Sequence, residues 1–378
     1  SRTTPPGARP DAPAAPTMTN GATVHGRGGV PGLRHPREMV LVCVCTGLTV
    51  LAYGVWVYVL VRIAMTSPSI SASSAYALLT GGLGGQLLLF LPAMPFVIWV
   101  GRALLYAEMR ASGVRMSPTQ FPEGYRMVVE AAAAFGMRRV PDAYVILGNG
   151  TVNAFAAGHG LRRYVAVHSD LFEVGGAARD PEALRFVIGH EVGHLAAGHV
   201  SFTRLICTRL AGQIPLIGPA LSRAQEYTAD NHGFALAPRG AAGVIGLLSG
   251  GKYLGAQVNL HAMADRAARE RGLWLHLAVW AASHPVHTWR AHALRDRSAP
   301  GRLMIRPAES TAWFPPVQPT GRQRSGEWPT PDQVLAVLDS AGPRTRVEEQ
   351  FGRYPGVDYD QPRDVWRLAD PTPALQDL

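Results

Sequence analysis

Two long uncharged apolar stretches stand near the front of the chain, and shorter apolar segments interleaved with polar ones follow them to about residue 299. Met39 to Val61 covers 23 residues and is closed by Arg62. That length suffices to cross a bilayer's hydrocarbon core as a helix, and it exceeds the ~7–15-residue apolar region of a signal peptide. Ala75 to Gly101, closed by Arg102, is the second stretch. Within it Gly81 and Gly85 form a small-residue step at which two helix backbones can approach. Pro92 and Pro95 predict a kink in this segment or its exit from the membrane. With the short Ser-rich link over 66–74, the pattern predicts a transmembrane hairpin over 39–105, its spans at about 39–61 and 75–101. Residues 1–38 are rich in Pro, Gly, Ala, Thr and Arg, lack apolar periodicity, and predict a disordered tail.

The region 116–299 has the mixed pattern of a folded, water-facing domain. Glu123 to Met137 predicts a helix. Ala143 to Leu147 and Tyr164 to Val167 predict short strands from their β-branched and aromatic content, with Asn149-Gly150 as a turn between them. Asp180-Pro181-Glu182 is a helix start, with Asp as cap, Pro at the first helical position and an acid in the first turn. Further helices are expected over 219–236, 241–269 and 286–297. Leu205 to Leu221 carries Arg209, Gln213 and two prolines, while Ala241 to Gly251 and Leu273 to Ala282 are too short to span a bilayer. All three are expected to be buried core helices. Residues 300–378 form a Pro-rich extension with one short helix, Pro331 to Asp339. The expected fold class is therefore α+β, mainly helical with a small sheet, behind a two-helix membrane hairpin.

Charge sharpens this picture. The net charge is +9, from 36 Lys+Arg against 27 Asp+Glu, and Lys252 is the sole lysine. The arginines are scattered and no basic run is interleaved with aromatics, so the balance points to a lipid bilayer as partner and not to nucleic acid. Arg27, Arg34 and Arg37 precede the first span, and Arg102, Arg110 and Arg115 follow the second. Arginine excess at span ends marks the cytoplasmic side, which places the domain in the cytoplasm of a two-span protein of the cell membrane. Cys43, Cys45 and Cys207 imply neither a disulfide framework nor a CxxC metal motif.

The candidate chemistry lies at His190-Glu191-Val192-Gly193-His194. On a helix, residues four apart share a face, so both imidazoles can reach one tetrahedral zinc ion. Glu191, one step round, can act as general base toward a metal-activated water. A third ligand is still needed. Glycine at 197 and histidine at 200 would supply it in the metzincin pattern, but Ala197 and Val200 stand there. His199 lies off the His190/His194 face and is read as structural or solvent-facing. Glu226, four residues before Asp230 in Ser222-Arg223-Ala224-Gln225-Glu226-Tyr227-Thr228-Ala229-Asp230, is the better candidate.

The HExxH helix, the SRxxExxAD segment and Ser283-His284-Pro285 with Arg290 downstream resemble, in that order, the HtpX and CaaX-prenyl-protease family of gluzincin metallopeptidases. The resemblance covers roughly 120–297 and the hairpin before it. It implies a mainly helical zincin domain holding one zinc ion, with Glu226 as third ligand and Asp230 orienting a ligand histidine. His284 would lie near the metal as transition-state stabiliser or gate, and Arg290 would stand behind the site, holding that loop or a substrate group. Asn153, Ala154, Phe155 and Ala156 would border the cleft and bind extended peptide by strand addition. Further spans after the HExxH helix, and the multi-span chamber of the prenyl proteases, have no counterpart here. The function expected is a membrane-anchored zinc endopeptidase acting on a protein or peptide. The rivals are a non-catalytic membrane adaptor with a structural zinc and an oligopeptidase or aminopeptidase on the same scaffold. Oligomeric state stays open.

Overall fold

The computed structural model describes residues 30–66, 82–150, 152–173 and 180–313. Helix α1 (Glu38–Thr66) and helix α2 (Gly82–Ser112) come first. The Ser-rich link and Gly81 lie outside the described residues. Helix α2 continues through Pro92 and Pro95. Windows within both helices are long and apolar enough to cross a membrane, with mean hydropathy 2.2 and 1.5, and only 11% of each is buried. A core helix would bury such a surface; here Val50, Leu51, Val55 and Tyr58 on α1 and Phe96, Val97 and Trp99 on α2 are exposed. The ends facing the domain behave differently. Cys45 packs against Ala211 and Leu221, and the Thr49 hydroxyl donates to the Cys207 carbonyl at 2.8 Å. On α2, Met109 joins Tyr144 and Tyr164, and the Tyr106 hydroxyl donates to Asp142 at 3.1 Å.

The expected tail is corrected over 30–37. Pro31–Leu33 forms a 3-10 turn, and the segment bonds to a helix two hundred residues away in sequence. Asn231 Nδ2 donates to the Leu33 carbonyl at 2.8 Å, the His35 amide donates to the Thr228 hydroxyl at 3.0 Å, and the His35 ring stacks on Tyr227. Such partners are invisible to a local pattern. Residues 1–29 lie outside the described residues.

The sheet has four strands in the order β1-β2-β4-β3: β1 (Val114–Arg115), β2 (Asp142–Ile146), β3 (Ala154–His159) and β4 (Arg162–His168). Helix α3 (Pro122–Ala134) lies between β1 and β2 in the chain. Strand β2 pairs parallel with β4, from Asp142↔Tyr164 to Ile146↔His168, and β3 folds back antiparallel on β4 through a turn at Gly160, whose φ is +55°. Asn149 and Gly150, both at positive φ, make the expected turn after β2. Sequence reasoning did not assign β3, because Ala-Phe-Ala-Ala-Gly-His has little strand propensity; pairing with β4 decides it.

Helix α4 (Pro181–Ala196) begins as expected: Asp180 Oδ1 accepts from the Glu182 and Ala183 amides, each at 3.1 Å. After α5 (Phe202–Arg209) comes α6 (Ile217–Leu236), which crosses α4 closely. A Cβ on Gly193 would lie 2.6 Å from the His232 Cβ, so this contact requires glycine. Val128 of α3, Val145 and Val165 of the sheet, and Ile188, Val192 and Leu195 of α4 belong to one buried core. The single helix expected over 241–269 is two, α7 (Ala241–Leu254) and α8 (Leu260–Arg269). Gly251, at φ +72°, kinks α7 near its end; a 3-10 turn at Gly255–Gln257 follows, and the Asn259 cap, which accepts from the His261 and Ala262 amides, starts α8 afresh. Helix α9 (Leu273–Ala281) corrects a second expectation: Leu273 is 67% and Trp274 80% exposed, and Val279 alone of this helix is buried. Helix α10 (His287–Arg295) closes the set. The domain boundary expected at 299 moves outward, since Leu303 is buried and Trp313 stacks on His261 at 4.6 Å. The extension from 314 onward, with the helix expected at 331–339, lies outside the described residues.

Candidate active site

One turn of α4 brings the Nε2 atoms of His190 and His194 to 3.2 Å. Glu226, on the face of α6 that crosses α4, sets Oε2 at 3.5 Å from His190 Nε2 and Oε1 at 3.5 Å from His194 Nε2. The three residues form a group whose donor atoms all lie within 4.8 Å of one another. A tetrahedral zinc with bonds of about 2.0–2.1 Å requires ligand–ligand separations of about 3.3–3.4 Å, and two imidazoles with one carboxylate are an ordinary donor set for it. These residues fit the ion.

Each of the two imidazoles is held by its other nitrogen. His190 Nδ1 lies 2.9 Å from Asp230 Oδ1, and Arg290 clamps Asp230 with two donors, Nε to Oδ2 at 2.9 Å and Nη2 to Oδ1. The Arg290 guanidinium thus serves Asp230, which gives a firmer account of it than the two alternatives the sequence left open. His194 Nδ1 lies 2.7 Å from His199 Nδ1, and His199 Nε2 lies 3.2 Å from Glu38 Oε1. Sequence reasoning missed this pair: His199 is indeed off the His190/His194 face but sits behind His194, and Glu38 has no place in the sequence reading of the site. The Arg34/Glu38 spacing was the one available signal, and Arg34 does donate to Glu38. His232 lies away from the group, its Nδ1 2.7 Å from the Thr228 carbonyl oxygen.

Burial raises the Glu191 carboxyl to about 7, with Glu226 adding to the rise and His190 and Arg290 opposing it. Burial works against a charged His190, yet hydrogen bonds to Asp230 and Glu226 outweigh it and hold the ring up to about 10. For Glu226, burial is likewise overcome by the histidines, and its carboxyl stays below the usual range. Burial keeps His194 and His199 below the ordinary imidazole value. The centre therefore favours a positive charge among Glu226, Asp230 and His190, as a cation site should.

The sequence model of Peptidase family M48 matches residues 118–211 and 201–298. This domain belongs to peptidase family M48. Comparison with curated proteins and with solved structures gives no significant match. Membership supports a metal-dependent peptidase, with zinc the usual ion of the family.

Around the centre, the M48 domain opens a cleft of about 300 Å³. Asn153 to Ala156 border one side, where β3 is the last strand of the sheet; Phe186, Val187, Val244, Leu247 and Leu248 line an apolar wall. Asn153, Ala154 and Phe155 all line the cleft. The Ser283-His284-Pro285 loop brings His284 Nε2 to 3.5 Å from Glu226 Oε1, with 68% of the His284 side chain exposed. His284 stands at the rim, where its Nδ1 lies 3.0 Å from Ser283 Oγ.

Proposed function

We propose that this protein is a membrane-anchored zinc endopeptidase whose domain faces the cytoplasm. The observation that carries the reading is a His190/His194/Glu226 centre with Glu191 beside it, opening into a cleft bordered by the edge strand β3. Zinc, when bound, supplies Lewis acidity that polarises a carbonyl and acidifies water. Glu191, buried and raised to about 7, takes the water proton and delivers it to the leaving amine nitrogen. An extended peptide adds to β3 through main-chain hydrogen bonds while an apolar side chain enters the wall of Val244, Leu247 and Leu248. Apart from the ligands, Glu191 and His284, the charged lining is Arg290, already committed to Asp230. Among the described residues no further charge in the cleft awaits a chain terminus, which favours internal cleavage over trimming.

A non-catalytic adaptor would need only a closed structural site, whereas this centre opens on a cleft and has a base at its side. Two exposed apolar helices support the anchor, and the arginines at their domain-facing ends support cytoplasmic placement. Incubating the full chain in detergent with casein, with and without a zinc chelator, tests the activity; chelator-insensitive cleavage, or none with zinc bound, would sink it. Alkaline phosphatase fused after Val140 should be inactive and after Ser71 active, and the reverse pattern would invert the topology.

A further inference from the structure

Glu38 opens the first membrane helix, 161 residues from the histidine it contacts, and yet it is fully buried. Its carboxylate accepts from Arg204 Nη2 at 2.5 Å, from Arg34 and from the Thr228 hydroxyl, and lies 3.2 Å from His199 Nε2. If His194 uses Nε2 toward the metal, its proton sits on Nδ1 and is donated to His199 Nδ1 at 2.7 Å. The His199 proton must then be on Nε2, where it is donated to Glu38. No other assignment gives both hydrogen bonds a donor and an acceptor while His199 is neutral.

The backbone is built around this contact. Gly198, at φ +79°, turns the chain back at the end of α4 so that His199 lies beneath His194. The segment leading into α1 and helix α2 both hold the turn: Arg34 Nη2 donates to the Ala197 carbonyl at 3.0 Å, and Arg102 Nη1 donates to the Val200 carbonyl at 2.7 Å.

We infer that Glu38 is a positioning residue for the metal ligand His194, acting through His199, so that the first membrane helix forms part of the metal centre. This rests on the zinc reading of the site. A carboxylate behind a ligand imidazole fixes its tautomer and ring orientation, and its loss typically costs about 10–100-fold in metal affinity. Here that carboxylate comes from the anchor, so a displacement of α1 reaches the centre through two imidazoles.

The test uses the full chain in detergent, with zinc affinity read by chelator competition and ligand geometry by the visible spectrum of the cobalt-loaded protein. Glu38→Gln and His199→Asn should each weaken zinc by about 10–100-fold and alter the cobalt bands. The double variant should lose little more than either alone, because both act through one chain of contacts. Merely structural roles would lower thermal stability, leave the cobalt bands unchanged, and add in the double variant. Should Glu38→Gln not fold, Glu38→Asp keeps the charge, shortens its reach, and should still shift the bands. Wild-type affinity and an unchanged spectrum in the folded Glu38 variant overturn the inference. A wild-type chain that binds neither zinc nor cobalt overturns the metal reading itself.

Discussion

The two histidines of the centre are supported by different parts of the molecule. Behind His190 stand Asp230 and Arg290, both within the M48 domain, in direct contact and closed to solvent. Behind His194 stand His199 and then Glu38, the first residue of a helix whose far half is exposed and apolar. One support is self-contained; the other exists only when the first apolar helix is docked on the domain. On the inference drawn above, the contrast makes the first apolar helix a structural component of the centre.

Removing what both supports serve should have the largest effect. Glu226→Ala takes away the ligand shared by the two sides, and mass spectrometry after dialysis should find no bound zinc; full occupancy would remove Glu226 from the ligand set. Glu191→Gln should leave both supports and the zinc intact while lowering turnover by about 10²–10⁴-fold. Cleavage of casein at the wild-type rate with stoichiometric zinc would remove Glu191 from its role. Asp230→Asn weakens the self-contained side and should weaken zinc about 10–100-fold. Measured beside Glu38→Gln, it shows whether the two supports are equivalent: a much smaller loss at Glu38 would mean that the anchor contributes little. Gly193→Ala disturbs neither support directly, but its Cβ would lie 2.6 Å from that of His232. Overpacking of that kind should cost about 1–3 kcal/mol, seen in thermal unfolding of the metal-loaded chain. An unchanged melting temperature would show that α4 and α6 can separate there without penalty.

Much of the architecture was legible because its causes are local. Asp180 and Pro181 start α4 by capping chemistry, and the four-residue spacing of His190 and His194 puts two rings on one helix face. Glu226 and Asp230 follow the same rule on α6, although their approach to α4 depends on Gly189, Gly193 and Gly233, which permit the close crossing. Strand β3 was not legible, since Ala154 to His159 pairs only because β4 lies beside it. The burial expected for α9 failed for a related reason: a short apolar run states that a surface is greasy without stating what covers it.

The sequence by itself determined what depends on spacing along the chain: two apolar helices long enough for a bilayer, a capped helix carrying HExxH, and a second helix with an ExxxD pair. Tertiary structure decided what depends on distant partners. Residues 30–37 are ordered by Thr228, Asn231 and Tyr227, and Leu303 and Trp313 extend the domain past its expected end. His199 and Glu38 acquire their place only when a turn at Gly198 and the start of α1 meet. Helical periodicity reports contacts across three or four residues, whereas a hydrogen bond across 161 residues leaves no periodic trace.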